Sequence, residues 1–507
     1  MVRQWRPERH GMQKQLAFGF AEKPPEVSAK KASNPKGYTG LYGFHKYWGK
    51  KPHEPLAFII EQLTSDADTV LDPFVGSGIT ARESLLRNRR FIGFDINPIA
   101  VEITRLLVSP PDYESVYDTF KYLEKSVKEK IGQTYLMSDG CIASHYLWEN
   151  DLLQQVWLRR GLGNAREERS PSAHDLELID SLAGYRSKFL RRPNFFSNGR
   201  INAHKDLAIS DILTGRAQHN LDLLLHGIAE LPDDLAKPLR LCLTAASGQM
   251  TKMVFAVTGR GKTGGKASSK VEVGSWVIGY WRPKLHFEVN VWNCFERRVS
   301  KLLKAIRTYD PLTSLHISPS LAEFYRCDSK CCIECTPCQD SIAEVANQSV
   351  KLILTDPPHS DRVPYLELSE LWNAILGLEP NFDDEIVISN AKEREKSPET
   401  YGDAMNAFFA QCRETMRDDG FLVLLYNARQ EDRWTFVNKL IDDSASTGLE
   451  YIGQFPCNYS AGSVVQDNRK GGLKNDVALV FGNPDADLGE IGQLCDIPNW
   501  TTQIPFH

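Results

Sequence analysis

Between Tyr38 and Asn97 the spacing of apolar positions changes three times, and each change predicts an element. PHEPLAFIIEQL carries apolar residues at helical intervals, and DTVLDPF after it reads as a short buried strand. GSGITARESLLRN is a glycine turn opening a helix, and RRFIGFDIN is a second short apolar run closed by an acid. Strand, glycine loop, helix and strand in this order begin a doubly wound parallel sheet of the α/β class.

The pattern breaks at residues 109–315. That stretch holds an amphipathic helix in YESVYDTFKYLEKSVKEKI, the basic polar run RRPNFFSNGRINAHKD, a helical pattern around LDLLLHGIAEL, and a Gly/Lys/Ser-rich segment at 258–274. The sheet pattern resumes with CIECTP and SVKLILTDPP, helices in ELSELWNAILG and AMNAFFAQCRETM, the strand FLVLLY, and the late pair YIGQFPCNY and DVALVFG. No internal repeat is visible. The expected organisation is a mobile arm at 1–35, an α/β domain in two parts at 36–108 and 316–485, an inserted region at 109–315 and a tail at 486–507.

Length and charge narrow the class. At roughly 100–200 residues per domain, 507 residues make two to four domains. With 42% hydrophobic and 25% charged residues the composition is that of a soluble globular protein, which excludes wholesale disorder. A net charge of −5 excludes a generally basic coat for nucleic acid, so any such surface is local. No run of about 18 apolar residues predicts a membrane span, and MVRQWRPERHGMQKQL lacks the apolar core of an export signal. The 11 cysteines then read as reduced thiols of a cytoplasmic protein. CIECTPC has the C-x2-C spacing of a metal knuckle, but no second pair follows, and a buried strand with cysteine as a small hydrophobe is the favoured reading; no metal is expected.

Two motifs carry candidate chemistry. In Asp72-Pro73-Phe74-Val75-Gly76-Ser77-Gly78, after a strand and before a helix, Gly76 and Gly78 let the backbone approach a ligand and the helix N-terminus offers free N–H groups. Asp95, closing the next strand, stands where a carboxylate accepts the hydroxyls of a ribose. In Thr355-Asp356-Pro357-Pro358-His359, two prolines at a strand's carboxyl end aim the Asp356 carboxylate and neighbouring carbonyls into the crevice where open α/β sheets bind ligands.

DPFVGSG, GFDIN and DPPH together resemble the S-adenosylmethionine-dependent amino-methyltransferases of DNA, which methylate adenine N6 or cytosine N4. The resemblance spans about residues 38–108 and 320–483. It implies a methyltransferase sheet of Rossmann-like type, S-adenosylmethionine as cofactor and DNA as partner. It assigns Asp72, Phe74, Gly76, Gly78 and Asp95 to the cofactor, His45, Lys46 and Tyr47 of HKYWGKKP to a second wall of its pocket, and Asp340 to its adenine. It assigns Asp356, Pro357, Pro358 and His359 to the target amine. His359 departs from the family's usual Tyr, Phe or Trp and is expected to stack on a base flipped out of the duplex. Aspartate at 356 leans toward adenine N6.

An amine conjugated to its ring is a poor nucleophile, so Asp356 and the Pro357 carbonyl are expected to draw it toward tetrahedral geometry and stabilise the developing charge. In the insertion, Lys252, Arg260, Lys262, Lys266, Lys270, Arg282 and Lys284 face the single acid Glu272, with Trp276, Tyr280 and Trp281 among them, a pattern for phosphate contacts and base stacking. GRGKTGGK lacks the spacing of a phosphate-binding P-loop. Trp372 reads as core, and Asn427 and Arg429 as strand-end polar residues. Two other readings stay open, an RNA methyltransferase and a cofactor- or DNA-binding component without transfer. The resemblance also leaves room for a restriction or phage-defence partner.

Overall fold

The computed structural model describes residues 25–503 except 36, 160–165, 259–261, 264–265, 268–270, 277–278, 308–314, 428–433, 443–447, 458–475 and 484–487. The first part contributes α1 (Ala29–Ser33), α2 (His53–Leu63), β1 (Thr69–Asp72), α3 (Ile79–Leu86), β2 (Arg90–Asp95) and α4 (Pro98–Val108). The middle holds α5 (Tyr113–Gln133), β3 (His145–Glu149), β4 (Leu152–Arg159), β5 (Arg166–Arg169), α6 (Ala173–Ala183), α7 (Ile209–Ile212), α8 (Gly215–Ala229) and α9 (Asp233–Ser247). It continues with β6 (Val254–Thr258), β7 (Lys262–Thr263), β8 (Lys266–Ala267), β9 (Val271–Trp276), β10 (Leu285–Val289) and α10 (Val291–Arg307). The last part is β11 (Ile317–Ser318), α11 (Leu321–Arg326), β12 (Cys331–Cys335), α12 (Cys338–Ala343), β13 (Val350–Thr355), α13 (Tyr365–Leu376), α14 (Pro398–Thr415), β14 (Met416–Tyr426), α15 (Thr435–Asp442), β15 (Glu450–Cys457) and β16 (Asp476–Gly482).

The main sheet is a large mixed one. Its eight described strands run in the order β11-β12-β2-β1-β13-β14-β16-β15, with β16 antiparallel to both neighbours and the other pairings parallel. Side chains alternate between its faces as a strand requires. Val70, Phe91, Cys331, Leu352 and Val423 enter one core with α2, α3, α4 and α13. Leu71, Ile92, Cys332, Ile353 and Leu424 enter the other with α11, α12, α14 and α15. Both faces are covered, which is why these strands read as continuous apolar runs.

The inserted region forms a second, antiparallel sheet in the order β5-β4-β3-β10-β6-β9. Its helices do not enclose a separate core: Leu123 of α5, Leu221 of α8, Leu239 of α9 and Phe295 of α10 belong to the same buried cluster as Val70 and Leu352. The run RRPNFFSNGRINAHKD lies against α13 and the loop before it. Arg191 donates to the Leu378 carbonyl (2.7 Å), Asn198 to Glu367 (2.7 Å), and Arg200 to the Asp361 carbonyl.

The described parts of the arm and tail segments are packed onto the domain. Within the expected arm, Val27 and Ala32 are buried on the α2 side and the Val27 N–H donates to Glu61 (2.8 Å). Within the expected tail, Ile491, Leu494 and Ile497 are buried, Trp500 stacks on Phe455 with ring centroids 6.0 Å apart, and Gln454 and Thr501 exchange backbone hydrogen bonds. Both segments are short and carry few apolar residues, so their anchoring is decided by the surface they meet.

Candidate active site

The carboxyl ends of β2, β1 and β13 lie side by side, and each ends in or just before an aspartate: Asp95, Asp72 and Asp356. This is where the chain leaves β1 toward one side of the sheet for β2 and later returns on the other side as β13, and a crevice opens at such a point. A solvent-open cleft of about 780 Å³ occupies it, lined among others by Tyr47, Lys51, Asp72, Phe74, Gly76, Asp95, Asp356, Pro358 and Tyr365.

The glycine turn is built for close approach. Gly76 has φ +52°, and a Cβ there would lie 3.4 Å from the Tyr47 ring. Gly78, at φ +78°, caps α3, and a Cβ would stand 2.8 Å from Thr104 Cα, so it holds the loop shape without lining the cleft. The Gly76 N–H donates to Asp95 Oδ2 (2.8 Å) and the Asn97 N–H to Oδ1 (2.8 Å), which aims the carboxylate across the turn. Asp72 Oδ1 accepts from Thr355 Oγ1 (2.7 Å) and from the Phe74 N–H (3.1 Å), tying β1 to β13.

Burial dominates the electrostatics. It pushes the Asp95 carboxyl up to about 7 against the lowering effect of the Asn97 and Gly76 N–H groups, with Asp72 and Glu385 adding repulsion. It pushes Asp72 up to about 6 against its bonds to Thr355, Thr80 and Phe74. Two buried carboxylates facing one cleft, each disfavoured as an anion by desolvation, suit a ligand that brings a positive charge and hydroxyl donors.

Several residues singled out from the sequence stand elsewhere. His45 is buried behind the wall: its Nε2 meets Thr244 Oγ1 of α9 (3.0 Å), its ring abuts Trp372, and burial lowers its pKa to about 3, so it is a neutral core residue. Lys46 places its ammonium 4.1 Å from the Trp276 ring centroid, toward the insertion. Asp340 is exposed on the first turn of α12, because burying Cys338, Ser341 and Ile342 turns it away from the sheet. Pro357 is buried under its loop. Trp372 is core, stacked on Trp48 (4.5 Å).

His359 is the main correction. Rather than presenting a flat face to the cleft it is 7% exposed, its Nε2 lying 3.2 Å from the Leu425 carbonyl and 2.8 Å from Asp356 Oδ1, its ring edge-on to Tyr426. The loop is held this way by Ser360 at φ +50° and by the Pro358 carbonyl, which accepts from Ser360 N–H (2.9 Å) and the Tyr401 hydroxyl (2.7 Å). The imidazole therefore supports Asp356 from beneath.

In the insertion, Lys252 spends its ammonium on the Ser210 carbonyl (2.8 Å). Arg260 and Lys270, and the side chains of Lys262 and Lys266, lie outside the described residues, as does Arg429. Tyr280 is buried with its hydroxyl on the Glu367 carbonyl (2.8 Å), whereas Trp281 is exposed. The cysteine-rich run forms β12, which points Cys331 and Cys332 to opposite faces of the sheet.

Sequence reasoning missed two charged groups. Lys51 Nζ stands 2.6 Å from Asp356 Oδ2 and 2.6 Å from Asp476 Oδ2. Lys51 sits inside the HKYWGKKP segment and was legible as part of it. Asp476 was not, because only the antiparallel course of β16 brings its first residue to this edge.

Residues 11–106 match the profile of a DNA methylase family, the N6/N4 methyltransferases. Through this segment the chain is similar to the N6-adenine/N4-cytosine DNA methylases. The matched stretch holds the glycine turn, Asp72 and Asp95, and it begins within the expected arm. The chain is also similar to the type II methyltransferase M2.DpnII of Streptococcus pneumoniae, 38% identical over 64 residues. That alignment covers 12% of this chain and 24% of the relative, so the chain spans about a quarter of the curated relative it matches. Among the described residues no helix is long and apolar enough to cross a membrane.

Proposed function

We propose that the protein is an S-adenosylmethionine-dependent DNA methyltransferase acting on an exocyclic amine, adenine N6 in preference to cytosine N4, on a base flipped out of the duplex. The observation that carries this reading is one cleft lined by the Asp72 and Asp95 carboxylates, the glycine turn and Asp356. The main sheet then serves as a doubly wound, Rossmann-like methyltransferase sheet, and residues 109–315 as the target-recognition region.

The residues fit the cofactor. Asp95, fixed by two backbone N–H groups, retains lone pairs for ribose hydroxyls, and Asp72 offers negative charge near a sulfonium. Gly76 lets the backbone approach without a side chain in the way, and Tyr47 closes the opposite wall. When bound, S-adenosylmethionine supplies the methyl group as an electrophile.

The rest is the work of this chain. Asp356 accepts hydrogen bonds from the target amine and turns its lone pair toward the methyl, an orientation effect that makes the step effectively unimolecular. Its negative charge stabilises the cation that develops on nitrogen. A base inside a duplex cannot reach this depth, hence the flip. The test is expression in a methylation-free host followed by mass spectrometry of digested nucleosides. N6-methyladenine is the expected product, N4-methylcytosine would overturn the adenine preference, and unmodified DNA with unmodified RNA would overturn the activity.

A further inference from the structure

We propose that Lys51 and Asp476 are positioning residues that set the charge and orientation of the Asp356 acceptor, making the amine site an Asp–Lys–Asp triad assembled from three distant parts of the chain. The inference rests on the methyltransferase reading and deepens it.

The geometry follows from topology. The parallel strands all end at the crevice, but β16 runs the other way between β14 and β15, so it starts there. Its first residue, Asp476, is fully buried and accepts from Asn427 Nδ2 (2.9 Å) at the end of β14. From the opposite side Lys51, 5% exposed, reaches in ahead of α2 and places its ammonium between the two carboxylates, also 3.3 Å from the Gly49 carbonyl. Three oxygens thus approach one buried ammonium at the wall of the cleft.

Charge balance explains why the cation matters. A carboxylate oxygen of Asp356, one of Asp476 and a ring nitrogen of His359 all lie within 4.8 Å of one another. Two like charges this close do not both persist without compensation, and one takes up a proton. Lys51 supplies the compensation, with Arg362 a more distant second cation 3.6 Å from Asp476 Oδ1. An ionised carboxylate has about four lone-pair positions, so holding Oδ2 at Lys51 fixes the group while leaving acceptor positions for an amine. A protonated Asp356 would lose both its charge and part of that capacity.

Among the described residues, the titratable groups facing the triad are His359, Arg362, Tyr38, Tyr365, Cys457 and Asp72. Burial raises Tyr38, Tyr365 and Cys457, so they stay neutral around pH 7. His359 and Asp72 are the two neighbours whose ionisation the test has to separate from that of Asp356.

The test is single-turnover transfer to unmethylated plasmid DNA across pH 5.5–9 with wild type, Lys51→Met, Asp476→Asn and the double variant. Cofactor and DNA dissociation constants and urea unfolding are measured alongside. Lys51→Met is expected to move the acid limb of the rate profile upward by about one pH unit or more, because two carboxylates then share the site. Asp476→Asn is expected to move it downward, because the whole ammonium charge then acts on Asp356. The double variant should return toward wild type. Opposed shifts with mutual rescue are not what loss of packing produces. Repeating the series in His359→Gln and Asp72→Asn backgrounds removes those ionisations, and the shifts should persist. If Lys51→Met does not fold, Lys51→Arg, which keeps the cation, should hold the wild-type limb while Asp476→Asn still lowers it. Acid limbs that coincide in all variants of an active enzyme overturn this inference alone. A wild type without transfer overturns it together with the methyltransferase reading.

Discussion

At the scale of single residues the site is a set of carboxylates kept apart by what each one touches. Asp72 and Asp95 are acids whose folded-state pKa lies above the ordinary value of 3.8, at about 6 and about 7. In that window the folded protein holds more protons than the unfolded chain, so their contribution to stability is lost as pH rises from about 4 to about 7. The ligand-free melting temperature of wild type should therefore fall more steeply between pH 4.5 and 7.5 than that of Asp95→Asn, in which one of these ionisations is gone. Equal slopes in a thermal scan would show that Asp95 makes no such contribution. Asp95→Ala should also abolish S-adenosylmethionine binding in a direct titration, since the ribose loses its acceptor. His359 makes a different case. Because its ring lies beneath Asp356 and not in the cleft, His359→Ala should lower kcat with little change in the KM for DNA, and His359→Gln should retain more activity by keeping a donor. A KM effect without a kcat effect would restore the stacking role expected from the sequence.

At the scale of elements, the glycine turn and the reversed strand determine what meets in the crevice. Gly78 caps α3 in the left-handed region, and the obstruction to a side chain is Thr104 Cα, backbone that cannot step aside. Gly78→Ala should cost about 1–3 kcal/mol in urea unfolding and weaken cofactor affinity, because the turn shifts with it. Gly140, also at positive φ but with open space around its Cβ position, is the control: Gly140→Ala should leave cofactor affinity unchanged. The strand–turn–helix–strand unit was legible because every part of it is local: apolar runs, two glycines and an acid at the strand's end. The direction of β16 was not, since DVALVFG reads the same in either sense and its partner strands are elsewhere in the chain.

At the scale of the whole molecule, the inserted region is part of the fold and not an attachment to it. Its helices share the core that lies on one face of the main sheet, and Leu239 and Leu243 of α9 are fully buried there. A chain with residues 109–315 replaced by a short linker would expose that face, and it should give little soluble protein and no cooperative urea transition. A soluble, cooperatively folding deletion would show that the two parts fold apart. Reversing Lys262, Lys266 and Lys270 to Glu should weaken DNA binding at low salt and flatten the dependence of log K on log salt by about 0.9 for each lysine–phosphate pair removed, with cofactor affinity unchanged. An unaltered slope would make the stretch a solvated loop.

What the sequence determined by itself was whatever depends on neighbours along the chain. The alternation of apolar runs, the glycine turn after β1, the acid ending β2 and the prolines ending β13 announce an α/β sheet with a ligand crevice, and they place Asp72, Asp95 and Asp356 at its edge. Tertiary structure decided which way side chains face once distant segments meet. His45 and Lys46 are diverted to the insertion by Thr244 and Trp276, Asp340 is turned outward by the buried face of α12, and His359 is turned inward by the Leu425 carbonyl. The same meeting of distant segments puts Lys51 between Asp356 and Asp476. The physical reason is common to all of them: hydrophobic periodicity specifies which side of an element is buried, but the partner of a polar group is set by whatever the folded chain brings within hydrogen-bonding distance.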